Sequence, residues 1–422
     1  MAAFRDNRNP PALTSTPLAA PRRIFYGWYI VAAVFVTTTI TSGFAFYNLS
    51  ILLAAFVSER GFAVAVASSA TATFFIAGGI GGVIAGRLVD RIDARVVIAA
   101  GATIGALTLA CAGQIRDLWQ LYLFHVVFGL CHGASGLVPV TTMVARWFSV
   151  RRALAMSVAT TGLSFGGILV APLVALAIER LGLAGAAPWL GLIMFLGIVP
   201  VALLVMRSSP AALGLEPDGI TQAEREQAPP QPAVAYADAW RSRYFYAVSV
   251  AYLFLLGAQV GAIAHIYRLA STRAGVATAA LAISVMAGSS TIGRLTGGWI
   301  LLKVSTRSFA LALMAMQAVG LVVLAVAEDS TQILLGTVIF GVTMGNSLMM
   351  HPLLLAERFG TRDYGRIYST SQLVTVVGVA GCPALIGVIY EASGGYAVAF
   401  LAAAGVTLVG LAVLVLFGAT RR

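Results

Sequence analysis

The residue with most chemistry to offer is Arg294, inside the apolar stretch from Val276 to Lys303. It lies 18 positions after Val276 and nine before Lys303, so at about 1.5 Å of rise per residue a helix holds it roughly 13 Å from the charged end. In a hydrocarbon core of about 30 Å that is near the middle. An arginine there costs on the order of 2.5–3.5 kcal/mol and normally faces a cavity or a partner. Its guanidinium stays ionised and offers a planar fork that fits a carboxylate with two charge-assisted hydrogen bonds. An internal ion pair or a clamp of carbonyl groups would also satisfy it. The sixteen acids, from Asp6 to Glu391, all fall in loops or near helix ends, and none at mid-membrane. The natural counter-ion is therefore the carboxylate of an incoming substrate.

Other polar groups at comparable depth are Tyr47, Asn48, Gln259, Asn346 and Gln372. Singly, each reads as an interhelical hydrogen bond; together they line a small polar cavity. Histidine is the remaining proton carrier at physiological pH. His132 falls near the centre of its apolar segment and is assigned to the cavity, and His265 falls near an outer end and is assigned to gating. His125 and His351 read equally well as hydrogen-bonding partners between helices. With one fixed cation at depth, a monoanion is favoured over a dianion.

These side chains need elements that cross a membrane. The 422-residue chain is 59% hydrophobic and 10% charged, with mean hydropathy +0.91, outside the range of soluble domains. Its net charge of +11 sits between apolar blocks, which argues against nucleic acid. Cys111, Cys131 and Cys382 lie within apolar stretches and suggest packing, neither disulfides nor a metal site. Charged and turn-forming clusters divide the chain into twelve segments of about 20 to 30 residues, predicted as spanning helices. Of the 27 basic residues, 21 fall on the side that carries both termini and five on the other, which places the termini in the cytoplasm. The longest connection, 207–243 with its QAPPQP run, separates a six-helix half at 26–206 from another at 244–420, after a tail at 1–25. The halves echo one another: Gly129 and Gly133 recur 212 positions later as Gly341 and Gly345, and Phe148, Arg151 and Pro172 recur 211 later as Phe359, Arg362 and Pro383. Duplicated six-helix halves with the site at the midplane between them are a transporter architecture.

Two motifs sharpen this. Gly86-Arg-Leu-Val-Asp90-Arg91-Ile-Asp93-Ala-Arg95 resembles the G-x-x-x-D-R-x-G-R-R loop of the major facilitator superfamily, with Asp93 in place of a glycine. The resemblance implies a gating role for Asp90, Arg91 and Arg95, with Asp90 pairing with a basic residue or a helix N-terminus across the halves. The second-half copy, Gly298 to Arg307, lacks the aspartate, so the latch is expected to be asymmetric. Arg146-Trp147-Phe148-Ser-Val-Arg151-Arg152-Ala-Leu154-Ala155 resembles a signature of the monocarboxylate transporter and oxalate:formate exchanger group, as do Gly27-Trp28 and the Gly293-Arg294 pair. By that resemblance Arg294 occupies the place of the arginine that grips the substrate carboxylate. Where animal members carry an aspartate one turn earlier and a lysine in the first helix, this chain has Ser290 and Asn48, which removes the usual proton-linked ion pair.

The expectation is an all-α membrane protein of twelve helices with the major facilitator fold. It would carry a small organic monoanion such as lactate or pyruvate by alternating access, through proton symport or anion exchange, as a monomer in a bacterial inner membrane. A multidrug or metabolite exporter is the alternative. No clustered acids, metal set or nucleophile with its base stands at membrane depth, so no enzyme, metal or cofactor is expected, and the GGIGG run at 78–82 has no Lys-Ser/Thr after it to make a nucleotide loop.

Overall fold

The computed structural model describes residues 24–219 and 232–418. Most of the N-terminal tail, the middle of the linker with nearly all of QAPPQP, and the last four residues lie outside the described residues. Twelve helical passes follow one another: α1 Gly27–Arg60, α2 Val64–Val89, α3 Ala94–Ala110, α4 Leu118–Trp147, α5 152–181, α6 183–204, α7 243–274, α8 276–300, α9 Thr306–Val326, α10 Ser330–Phe359, α11 Tyr364–Ser393 and α12 Tyr396–Phe417. The fold is all-α, as the segment lengths predict. Two junctions have almost no loop. Gly182 (φ +66°) turns α5 into α6 and Gly275 (φ +85°) turns α7 into α8, a backbone region that costs glycine nothing.

Three of the helices are not regular throughout: α4 breaks at Gly136, and α1 and α5 each contain a wider turn. Ser42–Tyr47 of α1 and Gly166–Val170 of α5 are π-helical turns, and they pack against one another. Thr38 Oγ1 donates to the Ala159 carbonyl and Ser42 Oγ to the Leu163 carbonyl, each at 3.0 Å, which ties α1 to α5 just below this pair. A wide turn of this kind re-aims the side chains that follow it, and such turns gather at functional sites.

Glycine sets the close approaches within each half. A methyl group on Gly133 of α4 would overlap the backbone of Gly78 and Gly82 in α2, and one on Gly345 of α10 would overlap Ser290 of α8. The same helices meet in the same way in both halves, which gives physical content to the 212-residue repeat. The loops repeat as well. Arg60 caps the Gly113 carbonyl, while Arg273, 213 positions later, donates to the carbonyls of Leu324, Ala325 and Ala327 at 2.8–3.0 Å.

The halves meet along two seams, α2 with α11 and α5 with α8. On the basic face both seams are tight. Gly86 lies against Gly365 and Ser369, and Gly298 lies against Ser157 and Leu154. The pairs Gly86/Gly298 and Ser157/Ser369 are each separated by 212 positions, so the two seams are one contact used twice. The opposite ends of α1, α4 and α5 form no comparable contact with the second half among the described residues. The basic face is closed and the other face is open.

The linker is fastened at both ends. The Asp218 carboxylate accepts hydrogen bonds from the Ser149, Val150 and Arg151 N–H groups and from Ser149 Oγ, all at 2.7–3.0 Å, on the loop between α4 and α5. Past residue 231, Val234 N–H donates to the Phe359 carbonyl and Tyr236 N–H to Asp363 Oδ2, on the equivalent loop between α10 and α11. Arg366 stacks over the Tyr236 ring at 4.3 Å.

Candidate functional site

Arg294 projects from α8 into the α5–α8 seam and is 1% exposed, among the largest fully buried side chains. Its Nε donates to the Gly345 carbonyl of α10 at 2.8 Å, and its Nη1 to the Thr160 carbonyl of α5 at 2.5 Å and Ser164 Oγ at 3.3 Å. The guanidinium thus bonds to both halves at once. Ser157 Oγ of α5 donates to the Arg294 carbonyl and closes the same seam from the other side. Every one of these partners is neutral. No carboxylate pairs with Arg294 among the described residues. Its Nη2 has no hydrogen-bond partner among them.

Tyr47 ends the π-turn of α1 and rests its ring on Gly167, where any Cβ would come within 2.8 Å of it. The Tyr47 hydroxyl has no hydrogen-bond partner among the described residues, and the glycine under its ring stands three positions after Ser164. Of the residues expected in the cavity, Tyr47 is the one that packs on the π-helical turn of α5 that follows Ser164.

The others are spread more widely. Asn48 is fully buried, with Nδ2 on the Phe44 carbonyl at 3.0 Å and Oδ1 unpartnered. Asn346 bonds from Nδ2 to the Gly293 and Val342 carbonyls and lies over Gly297, holding α10 to α8 beside Arg294. Gln259 is buried in α7 with Oε1 unpartnered, and Gln372 is half-buried on α11. His132 leans on the Phe74 ring at 5.2 Å with Nδ1 unpartnered. His265 is held within the second half, between the Pro383 carbonyl at 3.0 Å and the Tyr396 hydroxyl at 3.3 Å. His351 stacks on Tyr252 at 4.6 Å and bonds to Ser371 at 2.7 Å, which makes it a helix-to-helix connector.

On the basic face, Asp90 makes the cross-half contact. Its carboxylate accepts from the Gly365 and Arg366 N–H groups at the start of α11, at 3.2 and 3.0 Å, and from Arg146 Nη2 of α4 at 3.1 Å. Arg91 is exposed, and Arg95 pairs with Asp93 at 2.9 Å within its own loop, so the cation of this latch is Arg146. Asp93, where the superfamily motif has glycine, caps α3 by accepting from Arg95 N–H at 3.1 Å and from Ser208 Oγ. The second half compensates for its missing aspartate differently. Glu357 of α10 accepts from Thr306 and lies in the field of Arg152 of α5, an inverted charge arrangement across the same face. Ser164, Arg146 and Arg152 are the functional candidates that sequence reasoning passed over. The two arginines stood in a quoted motif, whereas Ser164 had no local signal beyond the Gly166-Gly167 pair after it.

The buried latch predicts a pH response. Burial raises the pKa of Asp90 above its ordinary 3.8, outweighing the hydrogen bonds from Arg366 and Gly365 and the charge of Arg146, which lower it. The closed arrangement thus holds the proton more tightly than an open one with Asp90 hydrated. Between 3.8 and the raised value, acidification favours the closed basic face and alkalinisation disfavours it. Ser369→Cys should therefore react more slowly with a thiol reagent from the basic side as that side is acidified, and Asp90→Asn should flatten the dependence. Faster labelling on acidification would contradict it.

Two six-helix bundles, facing each other across a polar seam that is closed at one end and open at the other, are the architecture of a membrane transporter. Residues 35–350 match the family model described as Major Facilitator Superfamily, and the chain belongs to that superfamily. It is similar to monocarboxylate transporter 13 of Rattus norvegicus, 26% identical over 407 residues, spanning 92% of this chain and 88% of that one. It is likewise 26% identical over 427 residues to monocarboxylate transporter 11 of Homo sapiens, covering 94% and 84% of the two chains. Among solved structures it superimposes on the transporter FucP in its outward conformation, with TM-score 0.72 over 93% of this chain and 100% of that one. At 16% identity that likeness is one of fold.

Proposed function

We propose that this transporter carries a small organic monoanion, a monocarboxylate such as lactate or pyruvate, with Arg294 as the group that binds its carboxylate. The carrying observation is a fully buried guanidinium at mid-membrane whose partners are all neutral. Two carbonyls and a hydroxyl accept from Nε and Nη1 but leave its charge without a counter-ion in a medium where that is costly. A carboxylate supplies both. The names of the two monocarboxylate transporter relatives point the same way. Tyr47, Asn48, His132, Gln259, Asn346 and Gln372 belong to the walls around that anion, and Asp90 closes the cytoplasmic side. His265 remains the candidate for the outer gate. The termini face the cytoplasm, and the six-helix halves on either side of 207–243 rock about the seams to give alternating access. The energy comes from proton symport or from exchange against a second anion.

The test is counterflow into liposomes loaded with lactate, pyruvate, formate, acetate or oxalate. Accumulation of a monocarboxylate is expected, with oxalate excluded. Acceleration by an imposed pH gradient marks symport, and indifference to it marks exchange. Absence of counterflow for every carboxylate, from protein shown to be folded, would discard the reading in favour of an exporter.

A further inference from the structure

The second half supplies the cation of the anion site; the first half must supply something for the anion to hold. We propose that Ser164 of α5 is a positioning residue for the carried anion, its hydroxyl donating to the carboxylate that Arg294 binds. This rests on the anion-site reading of Arg294.

Three observations converge on Ser164. It is 5% exposed, and its Oγ lies 3.3 Å from Arg294 Nη1. In that contact the hydroxyl accepts, so its own proton is free, and it has no acceptor among the described residues. A buried hydroxyl with an unused donor leaves hydrogen-bond energy unmade. The nearby Thr160 carbonyl cannot serve an anion, since it presents only a lone pair, so the carboxylate has to use Nη2 and displace Nη1 from Thr160. An oxygen accepting from Nη1 then falls within reach of the Ser164 hydroxyl, which already sits beside that nitrogen. The Tyr47 hydroxyl, carried by a ring that rests on Gly167, is a second unused donor from the same half.

The arrangement divides the work between the halves. Arg294 belongs to the second half, and Ser164 and Tyr47 to the first. Neither first-half group is charged, so each binds only an anion already held by Arg294. The anion becomes the bridge across the α5–α8 seam, taking over from the Arg294–Thr160 hydrogen bond. Occlusion then depends on cargo.

Saturation curves for lactate counterflow by the full chain test this. Ser164→Ala should raise KM about tenfold, the worth of one hydrogen bond to a charged group, with Vmax within about twofold and the melting temperature unchanged. Ser164→Thr, which keeps the hydroxyl, should bring KM back towards the parent value. In Ser164→Cys, alkylation of that residue followed by mass spectrometry should be slowed by lactate and unaffected by the neutral lactamide. An unchanged KM in Ser164→Ala, or lack of lactate protection in Ser164→Cys, would overturn the proposal. Arg294→Gln, assayed alongside, separates the two levels. If it transports normally, the anion site itself is misplaced and this inference goes with it. If it is inactive while Ser164→Ala is normal, only Ser164 is lost.

Discussion

Arg294→Gln is expected to lower monocarboxylate counterflow by at least about a hundredfold while leaving the protein folded. Removing one partner of a buried, hydrogen-bonded charge pair costs about 3–5 kcal/mol, and each 1.4 kcal/mol is a factor of ten. The fold should survive because the contacts of the arginine side chain are to carbonyls and a hydroxyl, which an amide can partly meet, and because losing an uncompensated buried charge relieves a desolvation cost. Arg294→Lys is the informative companion. It keeps the charge but not the fork, and its ammonium cannot reach Gly345, Thr160 and the substrate with the same geometry, so activity should fall by roughly tenfold or more. Equilibrium binding of radiolabelled lactate to purified protein, measured beside counterflow, checks that affinity is what is lost. Retention of full affinity by Arg294→Gln would remove the central claim.

The second large effect is expected from a single methyl group. In Gly86→Ala the new Cβ would overlap the Gly365 carbonyl and the Ser369 side chain across the α2–α11 seam. Overpacking of this kind costs about 1–3 kcal/mol. Because α2 and α11 belong to different halves, the cost falls on the closed arrangement of the basic face and not on the folding of either half. Counterflow should drop about tenfold, and Ser369→Cys in the same background should become more reactive from the basic side. Gly133→Ala is the control: its overlap with Gly78 and Gly82 lies within one half, so it should lower the melting temperature instead. If Gly86→Ala destabilises as Gly133→Ala does and leaves accessibility unchanged, the seam does not move as described.

Much of this was legible in the residues. An arginine centred in an apolar segment announces a seam, because lipid-facing positions do not tolerate it, and the 212-residue echo of Gly129 and Gly133 announces two similar halves. The partner of Asp90 was half legible: a helix N-terminus across the halves was foreseen, but the choice of Arg146 over Arg91 and Arg95 depends on how α4 ends beside α2, which no local pattern encodes. The polar residues at mid-depth were legible as residues but not their partners. Nothing local in the sequence says that the His265 imidazole is bonded within the second half or that the Asn346 amide joins α10 to α8 beside Arg294. Ser164 was missed altogether. A serine in an α-helix usually bonds to its own preceding carbonyl, and only the packing of two π-helical turns shows that this one faces Arg294.

The fastening of the linker has a bearing on how such a molecule came to be one chain. Residues up to Asp218 are moored to the first half, and those from Ala233 onward to the second, at loops that correspond to one another. Each bundle thus carries its own end-piece, and the covalent join falls between two moorings, where it is least needed for either. Such a layout is what the union of two ancestral copies would leave behind, and it marks the place where the chain could be parted again and the two products left to find each other in the bilayer.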